Sequence, residues 1–378
     1  MSGAAVLVGY SADLLAGDPG RWHPVAGFGH AATALERVVY APTRTRGAAF
    51  AFALVGTAAL SVELLARAAP RAGVLAAVTW AALGGRSLGR EAERVAEFID
   101  RGELDAARRA LRALCGRDAA ELGERELCRA AIESVAENTS DAVVGALLWG
   151  AIAGPAGVAA YRAANTLDAM VGHRSERYSE FGFAAAKLDD ALSWPAARVA
   201  AGLAALMAPV VGGSPRTVAR IARRDGGAHP SPNAGRIEAA FAGALGVQLG
   251  GPLAYAGRVE RRPSLGDAGA PGVGDIHRAA RLSAAVGTAA AVLGAGVASA
   301  RVARVARVAR VRRVAGVARV ARVARVAGVA GVAREAREAR EAREARVRRG
   351  LRSRRVLAFP QLLGKSQHDV GRATWRPQ

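Results

Sequence analysis

Apolar runs bordered by charge decide what this chain can become. Residues 48–66 read AAFAFALVGTAALSVELLA, and a helix over them, rising ~1.5 Å per residue, is long enough to cross a bilayer core. Residues 72–86, 142–160, 196–213 and 280–300 are further apolar runs, and 3–16 is a short one below a full span. Backbone groups inside a bilayer must be hydrogen-bonded within the protein, so such runs have to be helical. The expected fold is mainly α: a polytopic membrane helical bundle. Pro70-Arg71 separates the first two runs, which are expected to pair as a helical hairpin. Glu63 is costly at depth, so it must face the bundle or reach the interface. Gly154-Pro155 breaks the run at 142–160 behind the possible caps Thr139, Ser140 and Asp141. That leaves two arrangements open, a kinked span or a re-entrant helix that lines a site.

Between these runs the character changes. Residues 87–130 mix Arg with Asp and Glu, and place Val95, Phe98, Ile99, Leu104, Leu111 and Leu114 at helical spacing, which predicts an amphipathic helical insert. Residues 214–279 are polar and rich in Gly and Pro. From Arg301 the chain is a low-complexity basic tail, Arg-Val-Ala and then Arg-Glu-Ala. A three-residue period drifts around a helix of about 3.6 residues per turn, so no fixed apolar stripe forms. Residues 301–355 hold 19 Arg against 4 Glu, which places +15 of the net +21 there. The high isoelectric point therefore describes the tail. Contact with anionic lipid is expected of it, and specific nucleic-acid binding is not, since no aromatic residues interleave the arginines. Three parts are expected: 1–300, a repeat at 301–355, and a terminal segment at 356–378. Cys115 and Cys128 make no disulfide framework and are expected to be isolated thiols. The N-terminus lacks a basic region ahead of its short apolar run, so no signal peptide is expected.

Chemistry-bearing side chains are densest at residues 133–195. In a helix, Glu133, Glu137 and Asp141 fall at i, i+4 and i+8 on one face, where they repel unless a cation or donors meet them. Tyr161, Asn165, Asp168 and Gly172 recur at helical spacing on a second segment. His173-Arg174, Glu176-Arg177 and Asp189-Asp190 follow. For any one residue a solvated surface with ordinary ion pairs is an adequate reading. For the whole set, flanking an apolar run too long for a surface loop, a site is the better one.

The segments ESVAENTSDAVVG, YRAANTLDAMVGHRSERYSEFG and AAAKLDDALSWPAAR resemble the CobD/CbiB family of adenosylcobinamide-phosphate synthases. GDPGRWHPVAGFG at 17–29 and HPSPNAGRIEAAFAGALGVQLGGPLAYAG at 229–257 resemble it too, in family order, so the likeness covers roughly residues 5–300. Asp18 and His23 fall within the first of these. The chain departs from the family pattern at Ala146, where Pro is usual, at Pro195, one residue early, and at Arg236-Ile237, where Trp-Pro is common.

The resemblance implies a multi-pass enzyme of the cell membrane with its site on the cytoplasmic side. It joins a propionate carboxylate of adenosylcobyric acid, the corrinoid substrate, to aminopropanol or its O-phosphate, and consumes ATP. A carboxylate is a poor electrophile and needs activation as an acyl phosphate, while the amine needs a base. Mg2+ would shield the phosphates through oxygen ligands. Glu137, Asp141, Asp168, His173 and Arg174 form the expected catalytic set, with Asp189 and Asp190 as metal ligands. On a helix those two point about 100° apart, so one is expected to bind directly and the other to orient a basic group. Asn138, Arg162, Asn165, His229 and Asn233 form the expected cofactor-binding set, Asn138 and Asn165 being also suited to the corrin's amide side chains. No P-loop GxxxxGK[ST] is present, so ATP would bind in another mode. A transporter, or a membrane regulatory protein without catalysis, would also place carboxylates beside broken helices.

Overall fold

The computed structural model describes residues 3–18, 23–115, 119–173, 175–255, 258–326 and 334–346. Helices dominate it, in the order α1 (Gly3–Ala16), α2 (Pro24–Val39), α3 (Arg44–Ala68), α4 (Arg71–Ala82), α5 (Gly85–Asp100), α6 (Leu104–Leu111), α7 (Glu124–Asn138), α8 (Gly145–Ala153), α9 (Pro155–Leu167), α10 (Phe183–Met207), α11 (Pro215–Asp225), α12 (Ala234–Leu245) and α13 (Val273–Val326). Between α12 and α13 an antiparallel hairpin, β1 (Leu249–Tyr255) and β2 (Arg258–Leu265), pairs Leu249 with Leu265 and Ala254 with Val259. The chain divides into two units, Met1–Arg304 and Val305–Gln378.

Among the described residues three helical stretches, Arg44–Ala68, Phe183–Val211 and Val273–Arg304, are long and apolar enough to cross a membrane. Phe52, Leu60, Leu64 and Leu65 on α3, Leu206 and Val210 after α10's midpoint, and Val292 and Leu293 on α13 are all exposed. An apolar surface of that extent fits lipid rather than water. Glu63 sits near the end of α3, where Arg71 holds it in a fork of two 2.8 Å bonds and Arg67 stands 3.5 Å away. The residue is thus neutralised at the α3–α4 turn rather than left at depth.

Two buried cores organise the first unit. The larger gathers Val6 and Tyr10 of α1, Leu75 of α4, Leu127 and Ile132 of α7, Leu147 of α8, Ala200 of α10, Phe241 of α12 and Leu282 of α13. The smaller joins Ala32 of α2, Phe50 and Val55 of α3, Leu167 and Ala164 of α9, Phe181 and Ala185. Leu88, Val95, Ile99 and Leu111 of α5 and α6 are buried in the larger core, so the apolar stripe read between 87 and 130 packs on the rest of the body. The polar stretch 214–279 is also more ordered than its composition suggests, since α11 and α12 bury Val218, Ile221, Ile237 and Phe241. Its Gly and Pro residues serve the ends of these elements: Pro215 opens α11, and Gly246, at φ 68°, closes α12. Pro195 lies inside α10 instead of opening it. It cannot donate to the carbonyl four residues back, and Trp149 Nε1 donates to the neighbouring carbonyl of Leu192 at 3.0 Å. Cys115 and Cys128 are free thiols.

The run 142–160 takes the arrangement that doubles back. Gly154, at φ 72°, adopts a conformation open chiefly to glycine, and Pro155 starts α9 where a missing N–H costs nothing. α8 and α9 then pack antiparallel, with Gly145 opposite Tyr161, Trp149 opposite Gly157 and Gly150 opposite Val158. The approach at Gly145 is so close that a Cβ there would lie 2.2 Å from the Tyr161 ring. In the second unit, residues 305–326 and 334–346 are helical, and Arg334–Glu338, Arg337–Glu341 and Arg340–Glu344 pair at 3.2–3.4 Å on exposed side chains.

Gly145→Ala should overpack this hairpin and destabilise the protein by about 1–3 kcal/mol. Gly56→Ala, whose Cβ meets nothing within 4 Å, should not. Thermal unfolding of the two variants in the same detergent checks this.

Candidate active site

The α8–α9 hairpin returns the segment after Leu167 to the level of the segment before Gly145. Both segments are π-helical turns, Thr139–Val144 and Asp168–Gly172, and each carries a carboxylate, Asp141 or Asp168. The first lies inside a continuous helical run, where wide turns concentrate at functional sites, and the second closes α9 ahead of the extended His173. The first is held by Thr139, whose hydroxyl donates to the Val135 carbonyl at 2.6 Å and lies 2.7 Å from Ser283 Oγ of α13.

This geometry divides the acidic stripe expected of Glu133, Glu137 and Asp141. Glu133 is buried and accepts the Gly250 amide of β1 at 2.8 Å, so it anchors the hairpin. Glu137 is exposed. Asp141, displaced by the π turn, meets the field of Asp189, Glu137 and Asp168. Asn138 donates back to the Ser134 carbonyl at 2.9 Å, a local bond within α7.

α9 and α10 supply the rest. Arg162 Nη1 donates to Asn165 Oδ1 at 3.2 Å, and Asn165 Nδ2 donates to Asp189 Oδ1 at 3.4 Å. Ser193 Oγ donates to the same oxygen at 3.3 Å and lies 3.4 Å from the Tyr161 hydroxyl. Asp189 is therefore buried with two donors. Asp190 takes the other direction and pairs with Lys187 at 2.9 Å, matching the expectation that one of the two would meet a basic group. Gly172 gives Asp168 its room, since a Cβ there would lie 1.9 Å from Asp168 Oδ1.

The remaining predicted residues fall in different places. His173 is exposed and stands edge-on to the Tyr178 ring at 5.0 Å. Arg174 lies outside the described residues. The loop they share is tied down by Glu36, whose Oε1 accepts from Arg177 at 2.9 Å and from the Tyr178 hydroxyl at 3.0 Å. Asn233 reaches α10, donating to the Asp190 carbonyl at 2.9 Å and accepting from Arg198 at 3.3 Å. His229 is buried in the α11–α12 connection, accepts the Ser231 amide at 3.0 Å, and has Nε2 4.0 Å from Glu238, so its surroundings are those of a structural residue. His23 caps α2 by accepting the Val25 amide at 3.2 Å. Asp18 is an addition: its charge acts on Arg162, as do those of Asp141 and Asp189. Its place in the first matched motif was the signal for it.

The electrostatics are lopsided. Burial, with Asp190 and Glu137 near, pushes Asp168 up to about 6. Burial, with Asp189 and Glu137 near, holds Asp141 well above the usual carboxylate range. Neither takes part in an ion pair among the described residues, and no three His, Cys, Asp or Glu side chains there converge as a complete metal-ligand set.

Comparison with known proteins settles the lineage. A family model described as CobD/Cbib protein matches residues 6–283. The chain belongs to the CobD/CbiB family. "Cobalamin biosynthesis protein CobD" of Mycobacterium tuberculosis (strain ATCC 25618 / H37Rv) is 52% identical over 291 residues, covering 76% of this chain and 93% of that one. The proteins of the same name from Geobacter metallireducens and Chromobacterium violaceum are 46% and 42% identical, covering 70% and 74% of this chain and 87% and 94% of their own lengths. No solved structure matches. The CobD/CbiB match ends inside α13, ahead of the Arg-Val-Ala repeat.

A carboxyl group whose native pKa is raised favours the folded state while protonated. For Asp168 that contribution is complete below 3.8 and is lost as pH rises through about 6. The melting temperature of the metal-free protein should therefore fall between those values, and Asp168→Asn should flatten the fall. A pH series of melts on both proteins checks it.

Proposed function

We propose that this chain works in cobalamin biosynthesis as an amide ligase, joining adenosylcobyric acid to (R)-1-aminopropan-2-ol or its O-phosphate at the expense of ATP. The observation that carries the reading is the gathering of Asp141, Asp168, Asp189, Arg162 and Asn165 by the α8–α9 reversal. It is supported by the identity to relatives named for this pathway over most of their length.

ATP supplies the activation of the propionate as an acyl phosphate. The chain's own residues bind, orient and move protons. The amine arrives as an ammonium ion and must lose a proton before it attacks. Asp168, poised near 6, is matched to accept it close to neutral pH. Asp189 is fixed by Asn165 and Ser193, and so holds the Asn165 amide, and through it Arg162, in place beside the carboxylates. Arg162 balances part of their charge and suits a substrate carboxylate or phosphate.

The donor set also fits Mg2+, which keeps several waters and takes one or two protein carboxylates together with substrate phosphates. Asp141 is better suited to it than Asp189 and Asp190, because it has no ion-pair partner among the described residues while Asp190 has Lys187 and Asp189 has two donors. The protein is assigned to the cell membrane as a multi-pass enzyme with this site on the cytoplasmic side. The basic tail contacts anionic lipid and is not required for the chemistry. A transporter would use the same broken helices, but the site's buried network and proton-accepting carboxylate favour catalysis.

In purified full-length protein, ATP consumption should require adenosylcobyric acid and the amino alcohol together. Asp168→Asn and Asp141→Asn should each lower kcat by about 100-fold or more, with normal membrane expression and a shifted Mg2+ requirement. Retention of near wild-type turnover and Mg2+ dependence by both would reduce the cluster to an ion network. Uptake of corrinoid by proteoliposomes without ligation would favour transport instead. A chain ending at residue 304 should keep full activity in the same assay.

A further inference from the structure

A cavity of about 420 Å³ lies among α1, α5, the first π turn and α13, lined by Tyr10, Asp13, Gly85, Gly89, Arg90, Val143 and Ser283 among others. That volume is at the lower end of the roughly 300–1,000 Å³ that takes small molecules, and too small for a corrin ring. The feature that needs explaining is Asp13. It is 0% exposed on an otherwise apolar helix. Its Oδ2 accepts the Arg86 amide at 3.3 Å, while its Oδ1 is buried without a hydrogen-bond partner. A carboxylate oxygen in that state costs several kcal/mol unless a cation or donor meets it.

The neighbouring charges do not answer it. Arg86 turns its guanidinium to the carbonyls of Leu14 and Leu15 at the end of α1. Glu93 is engaged by His277, and Glu97 by Arg101 at 3.6 Å. Arg90 lines the cavity and makes no ion pair among the described residues. The Tyr10 hydroxyl is occupied with Thr288 at 3.0 Å. Val143, Ala280 and Ala284 form an apolar wall. One carboxylate oxygen beside an apolar wall is a poor nest for a bare divalent ion, which wants six or more oxygens. It suits a primary ammonium group carrying a short carbon chain.

We propose that this cavity binds a small primary ammonium compound, with its charged nitrogen on Asp13 and, where it carries an anionic end, that end on Arg90. The proposal rests on the ligase reading, in which such a compound is the acyl acceptor. It places the compound on the Val143 side of the π turn that carries Asp141, so the turn separates the amine store from the acidic cluster.

Gly89 offers a test that leaves the fold intact. Gly89 lines the cavity and a Cβ there meets nothing within 4 Å, so Gly89→Leu adds bulk at the cavity wall from an unhindered first carbon and improves helix propensity. Calorimetric titration of the full chain with 1-aminopropan-2-ol and with its O-phosphate, in the absence of ATP and corrinoid, is the measurement. Gly89→Leu and Asp13→Asn should each weaken binding by about tenfold or more, and Arg90→Ala should weaken only the phosphate ester. In the ligation assay Gly89→Leu should raise KM for the amine and leave kcat nearly unchanged. Unaltered affinity and KM in Gly89→Leu, in a protein that ligates, would overturn the cavity assignment and leave the ligase reading standing. Asp13-dependent amine binding in a protein that never ligates would do the reverse. A wild-type chain that binds neither compound overturns the assignment outright.

Discussion

The contact between Gly145 and Tyr161 is the one on which the rest of the site depends. An apolar run of this length could have crossed a membrane once and left its two flanking motifs at opposite ends. Gly154 turns the chain, and Gly145 lets α8 and α9 close to ring-contact distance, so Tyr161 reaches Ser193 and Ser193 reaches Asp189. A single close helix–helix approach thus links three motifs that are far apart in sequence. The surrounding cores follow from it. α9 gives Val158 to the larger and Leu167 to the smaller, and α10 gives Ala200 and Ala185 likewise, so the carboxylates fall at the seam between two packed regions. A seam is where polar groups can be partly desolvated without being sealed, which is the condition that lifts Asp168 into a useful range.

Much of this was legible in the residues. The apolar runs announced helices, Gly154-Pro155 announced the break, and the recurrence of Tyr161, Asn165, Asp168 and Gly172 announced a face. That face is real, with Gly172 making room for Asp168 and Asn165 bonded to Asp189. What periodicity could not show is the π turns, because a helical wheel assumes a constant rotation per residue. Glu133 was therefore grouped with Asp141 although it is spent on the Gly250 amide. His229 and His23 carry the residue type of catalysis but act as local hydrogen-bond acceptors, a distinction that depends on neighbours two residues away. The helices α11 and α12 were hidden by the Gly and Pro content of the segment that contains them, since composition averages over caps and interiors alike.

Charge is distributed with a similar division of labour. Glu36, Glu63 and Asp225 are each matched by arginine in short bonds and serve to hold elements together. Asp141, Asp168 and Asp13 are not matched in this way. Ion pairs that are complete within the fold contribute rigidity, and the incomplete ones are the places where a ligand can change the energy of the whole.

The first π turn carries a consequence for how this protein tolerates deletions. A wide turn accommodates one residue more than an α-helix would over the same rise. Loss of a single residue within Thr139–Val144 would let the regular helix re-form with its two ends still in register, and would remove the local bulge that displaces Asp141. Residue count in this short segment is therefore constrained apart from side-chain type, because a one-residue loss that leaves the flanking helix intact would still return Asp141 to the helical face of Glu133 and Glu137.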